Sequence, residues 1–224
     1  MHPNGQRFLF PPDLGRVAVK ICGITRRDEA SAVVAAGVDA IGINFWPKSK
    51  RFISLDEASP WLRELTMIVP RVAVTVNGTD DELRALHDSG VIDWIQLHGD
   101  ETPERVRSLT EQGLPVFKAM GVRDKAMLAS AADYDSPTLL LDAYAPTEYG
   151  GSGETLDWTL GAEAVVQWPD RQIILAGGLT PENVAEAVRQ VRPAAVDVAS
   201  GVEISPGRKD LGKVAALIEA IRAV

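Results

Sequence analysis

Val17-Ala18-Val19-Lys20-Ile21-Cys22-Gly23-Ile24-Thr25 reads as a buried strand, a glycine-permitted turn and the start of a helix. The same unit recurs along the chain. Short β-branched runs predict strands at Val17–Cys22, Ala40–Phe45, Arg71–Val76, Trp94–Leu97, Val116–Met120, Thr138–Asp142, Gln172–Ala176 and Ala195–Ala199. Amphipathic stretches between and after them predict helices at Arg26–Ala36, Leu55–Thr66, Thr79–Ser89, Pro103–Gln112, Arg123–Ala132, Trp158–Val166, Pro181–Val191 and Lys209–Arg222. Gly37, Gly90 and Gly113 read as helix stops, and Thr102-Pro103 and Thr180-Pro181 as helix starts. Eight strand–helix units predict a single (β/α)8 TIM barrel, α/β in class, with an open doubly wound sheet as the alternative. The predicted barrel spans residues 16–224, and residues 1–15 read as a loose N-terminal extension.

Composition narrows the function classes. The 224 residues are 46% hydrophobic, enough for one large core. The net charge of −8 argues against a general nucleic-acid surface. No apolar run is long enough to cross a bilayer, so no membrane partner is expected. One cysteine and no export signal point to the cytoplasm.

A barrel of this type carries its chemistry at the carboxyl ends of its strands. Strand one ends in Cys22, the only cysteine. A buried structural thiol is the plainer reading and a reactive one the sharper. Lys20 shares its strand face, and a cation there favours a thiolate. Asp142 follows three leucines; desolvation there raises a carboxyl's pKa and suits a general acid, while a cap or loop carboxylate is the duller alternative. Gly177-Gly178 after strand seven and Ser200-Gly201 after strand eight expose backbone N–H groups of the kind that bind phosphate, unless the glycines merely turn the chain. Arg51 lies in the basic run Lys48-Ser49-Lys50-Arg51, either as a fork for a carboxylate or as solvated charge. His98 lacks further ligands at metal spacing, so no zinc site is expected. Lys118 raises a Schiff-base aldolase, although a core lysine paired with a carboxylate is preferred. Gly150-Gly151-Ser152-Gly153, in the long connection Ala143–Asp157, reads as a mobile lid. Asn77-Gly78-Thr79 matches a glycosylation sequon that a cytoplasmic protein does not use.

These residues together resemble phosphoribosylanthranilate isomerase. The resemblance rests on Lys20-Ile21-Cys22-Gly23-Ile24-Thr25, Gln96-Leu97-His98-Gly99-Asp100-Glu101, Leu141-Asp142-Ala143, the Gly150–Gly153 loop and Trp158. It continues through Leu175-Ala176-Gly177-Gly178-Leu179 and Val196-Asp197-Val198-Ala199-Ser200-Gly201-Val202-Glu203, then Gly207 and Lys209-Asp210. It runs in register from about Val17 to the C-terminus. It implies a (β/α)8 barrel that performs an Amadori rearrangement in tryptophan biosynthesis, with Cys22 as general base and Asp142 as general acid. It further implies Arg51 for the anthranilate carboxylate and Gly177, Gly178, Ser200 and Gly201 for the phosphate. Gln96, His98 and Asp197 are expected to meet substrate as well. The iminium formed on ring opening is its own electron sink, so no cofactor or metal is implied. The expected partner is a phosphorylated small molecule, and the expected form a monomer or homodimer.

The sequence departs from the family pattern in places. Ala199 stands where a second serine is frequent, Thr75 where an aromatic is common, and Lys50 where a proline often precedes Arg51. Asn44 and Trp46 lie in a variable part. These changes are expected to touch substrate fit more than the acid–base pair. A related aminoaldose phosphate isomerase of histidine biosynthesis is the second reading, but that family uses paired aspartates where this chain has Cys22. A phosphate-ligand binding protein without catalysis is the third.

Overall fold

The computed structural model describes residues 7–144 and 155–224. Eight parallel strands close into a barrel in sequence order. They are β1 (Ala18–Cys22), β2 (Ala40–Asn44), β3 (Arg71–Thr75), β4 (Trp94–Leu97), β5 (Val116–Val122), β6 (Thr138–Ala143), β7 (Gln172–Leu175) and β8 (Ala195–Val198). β8 pairs with β1 through Ala18↔Ala195 and Lys20↔Asp197, which closes the ring and removes the open-sheet alternative.

The helices are α1 (Arg27–Ala35), α2 (Leu55–Glu64), α3 (Asp80–Asp88), α4 (Pro103–Glu111), α5 (Lys125–Ser130), α6 (Trp158–Gln167), α7 (Val184–Val191) and α8 (Leu211–Arg222). Local chemistry starts several of them. Ser54 with Glu57 and Thr79 with Glu82 form reciprocal capping boxes before α2 and α3. Thr102 caps α4, with Pro103 in its first turn. α7 begins at Val184 rather than at Pro181. The Asn183 side chain folds back, accepting the Thr180 N–H and donating to the Gly178 carbonyl, so 181–183 form a turn. α5 is short and is followed by a 3-10 turn at Ala131–Asp133.

A strand turns alternate side chains to opposite faces, which builds the barrel in layers. Ile21, Ile41, Ile43, Ile95 and Leu141 face outward and join the core under the helices. Ala18, Val72, Trp94, Phe117, Leu140 and Ile174 face inward and fill the lower barrel. Continuing the alternation upward sends Lys20, Cys22, Gln96, Asp142 and Asp197 into the barrel as well. Polar residues thus gather toward the carboxyl ends of the strands, while Thr138 and Gln172 are buried polar residues at the amino ends of β6 and β7.

The N-terminal extension is not loose over its described part. Leu9 and Phe10 are buried in the lower interior cluster. The Gln172 side chain clamps Phe10, accepting its N–H at 3.2 Å and donating to its carbonyl at 2.7 Å. Arg7 lies over the Trp94 ring at 5.7 Å. This apolar pair thus extends the lower interior cluster of the barrel. A short antiparallel pair, β9 (Glu203–Ser205) and β10 (Arg208–Lys209), was not expected from the sequence. Among the described residues, no helix is long and apolar enough to cross a membrane.

Candidate active site

The carboxyl ends of the strands surround an open cavity. Cys22 from β1, Gln96 and His98 from β4 and its loop, Asp142 from β6, and Asp197 from β8 all line it. So do Arg51, Gly177, Gly178 and Ser200. Gly201 does not: a Cβ there would lie 1.8 Å from the Leu179 carbonyl oxygen, so this glycine packs the loops after β7 and β8 together. Asn44 and Ser49, not singled out for the site, also line the cavity. Thr75 and Trp46 line a separate apolar hollow over α3, so of the variable positions near strands two and three only Asn44 reaches this cavity.

The Cys22 side is built from charge. Lys20 is fully buried and donates to Asp197 at 2.8 Å across the β1–β8 register. Burial pushes its ammonium down, yet Asp197 and the neighbouring Cys22 sulfur carry it above its ordinary value. The Cys22 thiol, by contrast, is pushed up by burial. Lys20, Lys209 and Arg51 pull the other way, but Asp197 works against them. Lys20 pulls toward the thiolate as expected, but burial, with Asp197, outweighs it.

A second buried network braces the same side. Arg51 gives Nε and Nη2 to the Glu203 carboxylate at 2.9 and 2.7 Å, and only 11% of its side chain is exposed. It is not part of a solvated run. Glu203 also accepts from Lys209 Nζ at 2.8 Å, and Lys209 donates to the carbonyls of Cys22 and Ala199 at 2.6 and 3.2 Å. These two cations hold the Glu203 carboxyl below the usual range in spite of its burial, while burial lowers Lys209. The network ties the ends of β1 and β8 to the loop after β2.

The Asp142 side is built from backbone groups. Asp142 is buried and its Oδ1 accepts the Ala143 N–H at 2.8 Å. Gly177, at φ +85°, lets β7 approach this carboxylate: a Cβ there would sit 3.0 Å from Asp142 Oδ1 and 2.7 Å from the Ala143 nitrogen. Gly178, at φ +61°, completes the turn. The backbone after β7 and that of the 3-10 turn Ser200–Val202 after β8 face each other across one wall. Such paired backbone turns suit an anion.

Lys118 lies off the site. Phe117 and Ala119 point into the barrel, so Lys118 faces out, where it donates to Glu101 at 3.0 Å and to three carbonyls. The paired-lysine reading holds and the Schiff-base reading falls. Among the described residues, no three His, Cys, Asp or Glu side chains converge as a metal site needs. The Gly150–Gly153 loop lies outside the described residues.

Sequence reasoning missed the bracing role of Glu203 and Lys209. Glu203 lies two residues and Lys209 eight beyond Gly201, and both stand in the motifs of the resemblance, which were the available signals.

The chain matches the family model described as N-(5'phosphoribosyl)anthranilate (PRA) isomerase over residues 19–220. A Trichlorobacter lovleyi protein named N-(5'-phosphoribosyl)anthranilate isomerase is 45% identical over 198 residues, 88% of this chain and 94% of that protein. A Thermotoga maritima phosphoribosyl anthranilate isomerase structure superposes with a TM-score of 0.83 at 39% identity, covering 93% of this chain and 100% of that one. Another solved phosphoribosyl anthranilate isomerase is in complex with reduced 1-(o-carboxyphenylamino)-1-deoxyribulose 5-phosphate. It superposes at 0.80 with 38% identity, over 93% of this chain and 100% of that one.

Proposed function

The chain belongs to the N-(5'-phosphoribosyl)anthranilate isomerase family, and from that premise we propose how its barrel-mouth residues divide the reaction. The enzyme is an aldose–ketose isomerase of tryptophan biosynthesis. It converts N-(5'-phosphoribosyl)anthranilate to 1-(2-carboxyphenylamino)-1-deoxyribulose 5-phosphate by Amadori rearrangement.

In this reading the Asp142 carboxyl protonates the furanose ring oxygen, and the ring opens to an iminium. The Cys22 thiolate then takes the proton from the sugar C2, and the electron pair neutralises the iminium to give the enol-amine. No cofactor or metal enters this scheme. Arg51, held rigid by Glu203, offers the anthranilate carboxylate a guanidinium that needs little further ordering. The backbone at Gly177, Gly178 and Ser200 takes the phosphate, and Gly201 shapes that loop from behind. Asp197, Gln96 and His98 complete the wall around the sugar. Ala199 in place of a second serine leaves phosphate binding to backbone amides and the Ser200 hydroxyl.

One observation carries this reading: the only thiol and a buried carboxylate, from β1 and β6, line one cavity. The partner is a phosphorylated small molecule, with no role for nucleic acid or membrane. The compartment is the cytoplasm, in keeping with a free cysteine. The working form is a monomer or a homodimer. The test follows the fluorescence of freshly made phosphoribosylanthranilate in wild type and Cys22→Ala. Turnover that disappears in the variant supports the roles; absence of turnover in well-folded wild type points to a related aminoaldose phosphate or a binding role.

A further inference from the structure

Gln96 and His98 stand between the barrel core and Asp142. Gln96 is fully buried, and its amide nitrogen lies 3.0 Å from His98 Nδ1. Its amide oxygen has no hydrogen-bond partner among the described residues. A buried amide with one end unsatisfied is costly. Its only side-chain hydrogen bond among those residues goes to the His98 ring. The far ring nitrogen, Nε2, lies 3.4 Å from Asp142 Oδ2. The other carboxylate oxygen is occupied by the Ala143 N–H. The imidazole thus reaches the oxygen that the backbone leaves open. The contact is longer than a formed hydrogen bond, and such contacts tighten when a ligand closes the site. His98 also lines the open cavity, so its ring meets both the carboxylate and entering water.

The chemistry creates a need at this point. One turnover leaves Asp142 as a carboxylate and Cys22 as a thiol, the reverse of what the next turnover requires. We propose that His98, oriented by Gln96, takes a proton from water at Nε2 and passes it to Asp142 Oδ2, so that the acid is reset. This rests on the reading of Asp142 as the general acid. A half-turn of the Gln96 amide presents its oxygen to Nδ1–H; that keeps a proton on Nδ1 and leaves Nε2 to accept and deliver one. The balance closes: Cys22 releases one proton to water, His98 collects one from water, and none is consumed. In this role both are positioning residues that act through Asp142, beside their place in the wall around the sugar.

The test is His98→Ala in the full chain, with circular dichroism as the check on folding, assayed with and without added imidazole. The expected result is a kcat lower by about a hundredfold, a much smaller change in KM from the lost wall contact, and recovery of kcat in proportion to imidazole. Imidazole should leave wild type and Asp142→Ala unchanged. An unaltered kcat in His98→Ala overturns the proposal. So does a loss that imidazole fails to relieve, or one that His98→Asn restores in full, because an amide returns a hydrogen bond but carries no proton. Full turnover in Asp142→Ala would instead remove the acid reading beneath it, and that failure is distinguishable from the others.

Discussion

The two halves of the barrel mouth solve opposite problems with opposite materials. Around Cys22, on β8, β1 and the loop after β2, lie Lys20, Lys209 and Arg51, balanced by Asp197 and Glu203. Around Asp142, on β4, β6 and β7, lie a backbone N–H, a glutamine and a histidine. In the proposed roles a base must reach its charged form, and three cations pull Cys22 that way although burial still holds its thiol up. An acid must keep its proton, and a lysine beside it would strip that proton away. The difference teaches that the two proposed roles sit in surroundings of opposite composition, charged around Cys22 and largely uncharged around Asp142.

The comparison breaks most readily at Lys20. Lys20→Met leaves Asp197 buried and uncompensated, and should cost about 3–5 kcal/mol of stability. Urea unfolding checks this, and a variant as stable as wild type would show that the charged half is not held by that pair. An Arg51→Lys change keeps the charge but loses the fork to Glu203. KM should rise about tenfold or more, corresponding to roughly 1.5–3 kcal/mol for a charge-assisted hydrogen bond, with kcat much less affected. An equal fall in kcat at constant KM would place Arg51 in the chemical step instead.

Smaller effects sharpen the same contrast. Burial raises the Cys22 thiol, so its alkylation by iodoacetamide should accelerate only above about pH 8.5, the value of a free cysteine. Because it is the only thiol, labelled mass reports it directly. Rapid alkylation at neutral pH would mean that the cations outweigh burial. Glu203 gives the gentlest test. Its carboxyl is held below the ordinary value in the folded state, so its stabilisation is present above the unfolded pKa and lost as pH falls through the folded one. Wild type should therefore be more stable than Glu203→Gln near neutral pH, and the two unfolding midpoints should converge in acid. A constant gap across that window would remove Glu203 from the charged network.

Much of this arrangement was legible in the chain. Alternation over Ala18, Lys20 and Cys22 is enough to send a lysine and a thiol into one barrel interior, and the strand ends then name Asp142, Gly177 and Ser200. What stayed hidden depends on distance along the chain. Arg51 meets Glu203 across 152 residues, and no local pattern announces that contact. Leu9-Phe10 was hidden for a different reason. An apolar pair followed by two prolines has no period to read, and only the lower interior cluster of the barrel gives it a place. The strands β9 and β10 are too short to leave a signal. Gly201 carried a phosphate-type motif but serves the close approach of Leu179.

The account rests on two side chains acting in one cavity, so the most direct measurement sets turnover against ligand binding in Cys22→Ser and Asp142→Asn. A reduced, non-reacting product analogue should bind both variants about as tightly as wild type, while single-turnover rates fall by about 10²–10⁴-fold in each. Wild-type turnover in either variant would contradict the role given to that residue and, with it, the division of the barrel mouth into a base side and an acid side.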